Sequence, residues 1–442
     1  SMDTREPPSV AIVSLGCPKN LVDSERMLGL LAEAGCAVNA PPEEADVIIL
    51  NTCGFIEAAR SESLDEIRQA IGRKRRGAVG RVVVAGCLAN RDGESLWDAL
   101  PGIDALVGVD DRDEIVRAVT GAGPVTLLSP CEGEIHSDAG RFRLTPRHTA
   151  YLRIAEGCSH GCTFCTIPAI RGPFRSKPPE QVLAETRELI SDGTVELNLI
   201  AQDTTAYGSD LDGGWNLARL LRALDGLDGV GWIRLHYTYP RSVTDELIDA
   251  MAACERVVPY LDMPLQHIAD GVLKRMGRGV TRADIERLLG RLRDRIPDLT
   301  VRTTFIVGFP GETEEDFEEL LAFARKQRFA EVGVFGFYAE RGTPAAEMPD
   351  PIDIDDAARR AEALIDVVDG IAYEQAAAMA GRELRVLVDG LTRGGKCVGR
   401  HAGQAPEVDS LCLLEAERPA GTFIDARVSR ANGANLICTP VD

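Results

Sequence analysis

Short apolar runs alternate with amphipathic stretches over the first 120 residues of the chain. Three of the runs end at a turn that contains a cysteine, namely residues 9–15 with Cys17, 46–50 with Cys53 and 81–85 with Cys87. Strands alternating with helices predict a doubly wound parallel sheet, whose ligands gather beyond the carboxyl ends of its strands. The three cysteines are 36 and 34 residues apart, and we expect them to converge. The simpler alternative is three buried core cysteines, since cysteine is often buried.

A longer alternation of strands and helices follows a polar connector at residues 133–148. Six apolar runs have the length of strands, and the segments between them carry apolar residues at three- and four-residue spacing. The runs span residues 150–155, 197–201, 231–235, 259–263, 301–307 and 331–337. The pattern predicts a partial (βα)6 barrel with its reactive groups on the loops after the strands, as in closed (βα)8 barrels.

The last sixty or so residues have a different pattern. After a predicted helix at residues 355–380, short β-like runs and glycine-rich turns indicate a small antiparallel β-barrel. The runs span residues 384–388, 397–399, 411–414, 422–428 and 436–439. We therefore predict an α/β protein of three domains, at residues 7–130, 145–380 and 381–442.

Composition and charge indicate where in the cell the protein is located and which kinds of partner it binds. No apolar stretch approaches the roughly 18 residues that a membrane helix needs, and the first eight residues lack the apolar core of a signal peptide. Ser1 and Met2 resemble an expression remnant. We expect a cytoplasmic protein, in which the 12 cysteines stay reduced and any pattern among them points to metal or catalysis. The net charge of −20 disfavours binding to nucleic acid and favours a basic partner.

Three more cysteines lie within eight residues after the first run of the central region. Cys158, Cys162 and Cys165 could saturate three irons of a 4Fe–4S cluster and leave the fourth iron open. A structural zinc ion would need a fourth close protein ligand, for which His160 is the candidate. A chance loop of buried cysteines is the remaining alternative.

The spacing Cys-x-x-x-Cys-x-Phe-Cys on the first strand of a partial barrel resembles the radical S-adenosylmethionine enzymes. The resemblance implies that the open iron chelates the amino and carboxylate groups of S-adenosylmethionine. It also implies that an electron from the cluster yields a 5′-deoxyadenosyl radical, which abstracts hydrogen from unactivated carbon. Such an enzyme needs an electron donor, while the protein supplies position and shielding.

The N-terminal cysteines carry a second resemblance. Residues 14–25 (Ser-Leu-Gly-Cys-Pro-Lys-Asn-Leu-Val-Asp-Ser-Glu), 51–54 (Asn-Thr-Cys-Gly) and 86–88 (Gly-Cys-Leu) resemble the methylthiotransferase domain, which precedes a radical domain and a small TRAM-like β-barrel in the same order. The resemblance implies that Cys17, Cys53 and Cys87 hold a second 4Fe–4S cluster that carries the transferred sulfur. One S-adenosylmethionine would donate the methyl group and another would form the radical.

Methylthiotransferases act mainly on adenosine in transfer RNA or on an aspartate of ribosomal protein uS12. Residues 381–442 contain eight Lys or Arg, eight Asp or Glu and one aromatic residue, Phe423, whereas RNA-binding barrels offer basic grooves and stacking rings. An acidic enzyme would attract a basic ribosomal protein. Residues 17–20, 148–154, 199–208 and 405–409 also resemble the uS12 branch, called RimO. Residues 90–95 and 437–439 depart from its pattern, which weakens the docking prediction only. Rival hypotheses are a transfer RNA enzyme and a non-catalytic electron carrier.

Other residues are weaker candidates. Gly308 and Gly311 resemble a cofactor-contacting motif of the superfamily, although they could simply permit a helix entry. Polar residues that follow strands could line the pocket, and these are Gln202, Asp203, His236, Gln266 and His267. The basic run at residues 73–76 fits a helix C-terminus better than a nucleic-acid patch. The cysteines without shared spacing are expected to be core or bystander residues, and these are Cys36, Cys131, Cys254, Cys397, Cys412 and Cys438.

Overall fold

The computed structural model describes residues 7–441 and contains two open parallel sheets and one closed barrel. The prediction for Ser1 and Met2 lies outside the described residues, as does the last residue of the predicted third domain. No helix in the described part of the chain is long and apolar enough to span a membrane.

The N-terminal sheet has six parallel strands in the order β2-β1-β3-β4-β5-β6. Its strands are β1 (Ser9–Ser14), β2 (Ala37–Val38), β3 (Val47–Thr52), β4 (Arg81–Gly86), β5 (Ala105–Val107) and β6 (Val125–Leu127). The doubly wound parallel sheet is confirmed, with three short strands added to the three predicted. The strand order reverses between β1 and β3, and crevices at such a switch point are where these sheets bind ligands.

Five helices cover this sheet: α1 (Pro18–Glu33), α2 (Glu57–Arg75), α3 (Cys87–Asp92), α4 (Ser95–Ala99) and α5 (Ile115–Thr120), with a 3-10 turn at Val109–Glu114. Proline occupies the first position of α1, where its missing N–H has no helical partner to lose. Helix α2 ends in Arg73, Lys74 and Arg75, so the basic run is the helix C-terminus that the sequence predicts.

The central sheet is also parallel and open, in the order β14-β13-β12-β11-β10-β7. Its strands are β7 (Thr149–Arg153), β10 (Glu196–Ile200), β11 (Trp232–Leu235), β12 (Val257–Asp262), β13 (Thr300–Val307) and β14 (Glu331–Gly336), while β8 (Ala155–Glu156) and β9 (Arg175–Ser176) form a separate antiparallel pair. All six predicted strands are present. Buried parallel strands are rich in apolar residues, and this enrichment made them recognisable in the sequence.

Helices pack on one face of the central sheet and form the largest hydrophobic core. They are α7 (Pro179–Ser191), α8 (Leu217–Asp225), α9 (Asp245–Ala253), α10 (Asp270–Arg275), α11 (Arg282–Arg295), α12 (Glu314–Gln327) and α13 (Ile354–Ala378), with 3-10 turns at Pro240–Ser242 and Pro344–Glu347. The short helix α6 (Ile167–Arg171) instead contacts α3 of the N-terminal region. The opposite face of the sheet is left to the functional groups and to the C-terminal barrel.

The C-terminal barrel closes through β15 (Glu383–Leu391), β16 (Cys397–His401), β17 (Cys412–Leu414), β19 (Asn435–Pro440) and β18 (Phe423–Asn432). Four of the strand pairs are antiparallel, as predicted, but β17 and β19 run parallel. Whether two strands pair in parallel or antiparallel depends on the tertiary fold, and the pattern of apolar residues within each strand does not predict it.

One loop of this barrel, residues 402–410, occupies the inner face of the central sheet near the start of its strands. Asp409 accepts a hydrogen bond from Tyr260 Oη at 2.7 Å and pairs with Arg302 Nε at 3.0 Å. Arg234 donates to the Ala402 carbonyl oxygen at 2.6 Å. The loop thus plugs one end of the partial barrel and leaves the other end open.

Candidate active site

All six cysteines of the two predicted trios line one cavity of about 390 Å³. Cys17, Cys53 and Cys87 come from the ends of β1, β3 and β4, at the switch point of the N-terminal sheet. Cys158, Cys162 and Cys165 lie on the loop between β8 and α6. A larger cleft of about 820 Å³ lies between the central sheet and the barrel, but none of these cysteines lines it.

The N-terminal trio is placed by tight turns at the strand ends. Cys17 is the N-cap residue of α1, and Cys87 is the first residue of α3. Gly16 has φ +91°, and a Cβ there would lie 2.8 Å from Cys53 Cβ. Only glycine lets the turn after β1 approach Cys53 this closely. Helix N-termini also carry partial positive charge, which favours an anionic thiolate.

The second trio sits on an irregular loop that its neighbours hold in place. The Cys158 N–H donates to the Gly172 carbonyl oxygen at 3.1 Å, and the Thr163 N–H donates to the Met276 carbonyl oxygen at 3.1 Å. His160, in the middle of the loop, stacks on Tyr239 with ring centroids 3.7 Å apart. Its Nε2 lies 2.6 Å from a carboxylate oxygen of Asp203, so this nitrogen is already engaged and does not point to a zinc ligand role.

The environment of the thiols disfavours free thiolates. Burial raises the pKa of Cys87 and of Cys165 to about 12, and it also raises the pKa of Cys53 and of Cys158. Metal ligation requires the deprotonated sulfur. A positive group must therefore compensate these sulfur atoms before they can serve as ligands.

Arg171 is one such group for the N-terminal trio. Its side chain is fully buried, and its Nε donates to Cys87 Sγ at 3.3 Å. Its other nitrogens reach Asn20 Oδ1 at 2.6 Å and Glu156 Oε1 at 3.0 Å. Arg171 belongs to α6, which directly follows the second trio. One guanidinium thus joins the two cysteine-bearing regions.

A buried array of ion pairs extends from Arg171 along the junction between the two sheets. Its members alternate in sign, and each has a side chain less than 5% exposed. The anions are Asp23, Asp138, Glu156 and Glu185, and the cations are Arg112, Arg153, Arg171 and Lys177. Buried charges are tolerated only when they are paired, so the array fixes how the two regions meet.

Lys19 also lines the cavity, and its side chain is held differently. It lies on the first turn of α1, and its Nζ is 3.1 Å from the centroid of the Tyr237 ring. The residue is 6% exposed. Tyr237 follows β11 in the left-handed conformation, with φ +56°, which is uncommon for a bulky residue and typical of functional sites.

Three polar atoms of cavity-lining side chains are buried without a hydrogen-bond partner among the described residues: Gln202 Oε1, Gln266 Oε1 and Arg278 Nε. Gln202 is otherwise held through its Nε2, which donates to Glu156 Oε1 at 2.7 Å. Arg278 NH1 lies 3.4 Å from Cys162 Sγ. Buried polar atoms are rarely left unpaired, so these atoms indicate a polar ligand.

Not every residue singled out in the sequence reaches the cavity. His236 is bonded to Asn198 at 3.0 Å, and His267 lies 3.5 Å from Glu312; both are buried behind it. Gly308 and Gly311 do not line it either. A Cβ at Gly308 would meet the Ala357 Cβ at 2.4 Å, and one at Gly311 would meet Arg275 Nε at 3.3 Å. Packing therefore accounts for both glycines, and their cofactor contact stays a prediction.

Sequence reasoning missed Arg171 and Arg278 and quoted Lys19 only within a motif. The available signals were weak: Arg171 ends the otherwise apolar segment Ile-Pro-Ala-Ile-Arg, and Arg278 lies between two glycines. Of the cysteines set aside as bystanders, Cys131 lies near the site, packed with Cys87 and Ile170. It does not line the cavity.

Three family profiles match the chain in sequence order. The uncharacterized protein family UPF0004 matches residues 9–108, the radical SAM superfamily matches residues 152–324, and the TRAM domain matches residues 380–441.

Full-length relatives decide the family. A ribosomal protein uS12 methylthiotransferase RimO from Anaeromyxobacter sp. (strain Fw109-5) is 48% identical over 97% of this chain and 92% of its own length. The protein of the same name from Geobacter sulfurreducens is 42% identical over 97% of both chains. The chain belongs to the RimO methylthiotransferase family. It is therefore a radical S-adenosylmethionine transferase, and its family implies S-adenosylmethionine and a 4Fe–4S cluster.

Solved structures support the fold of this RimO family member. The radical S-adenosylmethionine methyltransferase TsrM from Kitasatospora setae, solved with cobalamin and a 4Fe–4S cluster, covers 77% of the chain with a TM-score of 0.53. The cobalamin-dependent S-adenosylmethionine radical enzyme OxsB covers 83% of the chain with a TM-score of 0.52. Both are 15% identical to it, so the likeness extends to the fold alone.

The donor set of the RimO-type cavity fits an iron–sulfur cluster. Each trio supplies three sulfur donors, the chemistry that such clusters use. Within residues 7–441, no three His, Cys, Asp or Glu side chains are grouped so as to hold a single metal ion. The fit to a cluster therefore rests on the chemistry of the sulfur donors and on the cavity that they share.

Proposed function

We propose that this enzyme transfers a methylthio group to the β-carbon of an aspartate of ribosomal protein uS12, using two 4Fe–4S clusters and S-adenosylmethionine. The observation that carries the proposal is that both cysteine trios line a single cavity. The curated relatives named above are uS12 methylthiotransferases, which supports the substrate.

In this proposal, Cys158, Cys162 and Cys165 hold the cluster that binds S-adenosylmethionine, and Cys17, Cys53 and Cys87 hold the other. When bound, these groups supply a 5′-deoxyadenosyl radical and a sulfur atom for transfer. Gln202 and Gln266 offer the unpaired amide oxygens described above to donors on S-adenosylmethionine. Contacts of Gly308 and Gly311 with the cofactor remain part of the proposal.

The remaining residues of the cavity position the reacting groups and shield them from water. Arg171 places positive charge beside Cys87, which favours the ionised sulfur atom that iron requires, and Arg278 lies beside Cys162. The buried ion pairs hold the two trios at a fixed separation. Apolar side chains such as Phe55, Ile56 and Phe164 line the cavity, and apolar walls limit the access of water to a reactive intermediate.

The charge of the chain supports a basic protein substrate. Its net charge of −20 would speed the encounter with a basic ribosomal protein. The loop of the C-terminal barrel at residues 402–410 packs on the central sheet and is therefore not presented to a nucleic acid. We further propose three domains with the boundaries predicted above, a cytoplasmic location and an external electron donor.

The test combines iron content with product analysis. Anaerobically prepared protein should contain about eight irons, as two 4Fe–4S clusters require. Replacing either trio by alanine should lower this to about four. The Cys17, Cys53 and Cys87 variant should still cleave S-adenosylmethionine, whereas the Cys158, Cys162 and Cys165 variant should not.

Reaction with uS12 should add the mass of one methylthio group to an aspartate. If the mass of uS12 is unchanged and digested transfer RNA contains methylthiolated adenosine, the substrate is transfer RNA and not uS12. Failure of the wild-type enzyme to cleave S-adenosylmethionine would instead leave an electron carrier.

A further inference from the structure

The ammonium group of Lys19 has no acidic partner within the cavity. Among the described residues, no carboxylate lies within ion-pair distance of Nζ, which rests on the face of the Tyr237 ring. The carboxylates of Glu156 and Asp262 act on it only over a longer distance, as does the sulfur of Cys17. The other lysine that is buried this deeply, Lys177, pairs with both Asp138 and Glu185 at 2.7 Å. Burying a charge without a partner is costly, so Lys19 is incomplete without a ligand.

The other two cations that line the cavity have hydrogen-bond acceptors, which Lys19 lacks. Arg171 pairs with Glu156 and Asp23 and donates to Asn20. Arg278 has no carboxylate partner, but it donates to the Pro264 carbonyl oxygen at 2.6 Å and lies 3.4 Å from Cys162 Sγ. Among the described residues, Lys19 is thus the cation of this cavity whose charged group has no hydrogen-bond acceptor.

We propose that Lys19 binds the side-chain carboxylate of the target aspartate and that contact with the Tyr237 ring orients its ammonium group. This inference rests on the proposed function and adds the recognition of the substrate side chain to it. A bound aspartate would present its carboxylate to Nζ and its β-carbon, one bond away, to the space between the two trios. An adenine base carries no such anion, so Lys19 would also select a protein side chain over a nucleobase.

S-adenosylmethionine also carries a carboxylate, and the position of Lys19 decides between the two sources. Lys19 is two residues from Cys17 on the N-terminal sheet, whereas S-adenosylmethionine is assigned above to the cluster of Cys158, Cys162 and Cys165. Its carboxylate is expected to chelate the open iron there. The position of Lys19 beside the N-terminal trio therefore favours the substrate carboxylate over that of S-adenosylmethionine.

Binding measurements on the reconstituted enzyme test this in a double-mutant cycle. The ligands are uS12 and uS12 with its target aspartate changed to asparagine, and the enzymes are wild type and Lys19→Met, which keeps the length of the side chain. Loss of a buried charge pair should weaken binding of the aspartate form by at least about 30-fold. The asparagine form should bind both enzymes alike. The KM for uS12 should rise in the same proportion, more than kcat falls.

Lys326→Met is the matched control, since it removes the same charge from an exposed side chain that pairs with Glu286. It should leave the affinity for uS12 unchanged. The iron content of Lys19→Met should equal that of the wild type, and its thermal stability should be no lower, because the substitution removes a buried unpaired charge; this would show that the fold and the clusters persist.

Three results would overturn the inference, and they are distinguishable. If the wild type modifies uS12 and Lys19→Met binds uS12 equally well, the inference fails alone. If Lys19→Met instead loses affinity for S-adenosylmethionine and retains uS12, the carboxylate is that of the cofactor. If the wild type neither binds nor modifies uS12, the proposed function fails first and the inference with it.

Discussion

Replacing Arg171 by methionine removes the guanidinium that joins the two cysteine-bearing regions. Breaking a buried ion pair by deleting one partner commonly costs about 3–5 kcal/mol. After this substitution, Glu156 would still pair with Arg153 at 2.8 Å, and Asp23 would still pair with Arg112 at 2.8 Å. We therefore expect a loss at the lower end of this range: the free energy of opening the junction between the two sheets should fall by about 3 kcal/mol.

Hydrogen–deuterium exchange measures that opening directly, because amide protection reports the free energy of local unfolding. A loss of about 3 kcal/mol corresponds to roughly 150-fold faster exchange. Peptides that cover residues 18–25 and 149–156 should show it, in anaerobic protein of matched iron content. Peptides from the C-terminal barrel should not change.

Arg222→Met is the control for this experiment. Arg222 pairs with Glu246 at 3.0 Å, but both side chains are about half exposed, and such pairs contribute roughly 0–1 kcal/mol. Its exchange should stay close to that of the wild type. If Arg171→Met exchanges within threefold of the wild type, the buried array does not hold the junction and the reasoning is refuted.

Two further predictions concern the inner face of the central sheet and the loop after β13. Burial raises the pKa of Glu331 to about 7, so the folded state favours the protonated form; stability is highest below pH 4.5 and falls by roughly 3 kcal/mol as the pH rises through 7. Glu331→Gln should flatten this dependence in thermal unfolding between pH 5 and 8, and an unchanged slope would contradict it. Gly308→Ala should destabilise by about 2 kcal/mol or more, because its Cβ would lie 2.4 Å from that of Ala357. Gly342→Ala, with φ +84° and no atom within 4 Å, should cost only about 1 kcal/mol in the same unfolding assay; equal losses would exclude packing as the role of Gly308.

Much of the fold could be predicted because burial leaves a direct mark on the sequence. The six strands of the central sheet are short runs rich in apolar residues, and the cysteines that follow β1, β3 and β4 repeat at nearly constant spacing. The strands β2, β5 and β6 were missed because two or three residues are too few to show a pattern. The parallel pairing of β17 with β19 was missed because pairing depends on residues distant in the chain.

The candidate site divides in the same way. The cysteines stand out because their residue type is rare and their spacing is specific. Arg171 and Lys19 do not, since a charged residue in a sequence is ordinarily a surface residue. Their burial arises only when α6 and α1 meet across the two sheets, and such contacts have no local signature.

The loop at residues 402–410 ties the C-terminal barrel to the inner face of the central sheet. Asp409 and the Ala402 carbonyl oxygen are bonded to side chains of the central strands, so the two parts of the chain share these polar contacts. Exchanging this barrel between relatives would break the contacts unless the matching strand residues were exchanged with it. The barrel and the sheet that it contacts are therefore expected to change together.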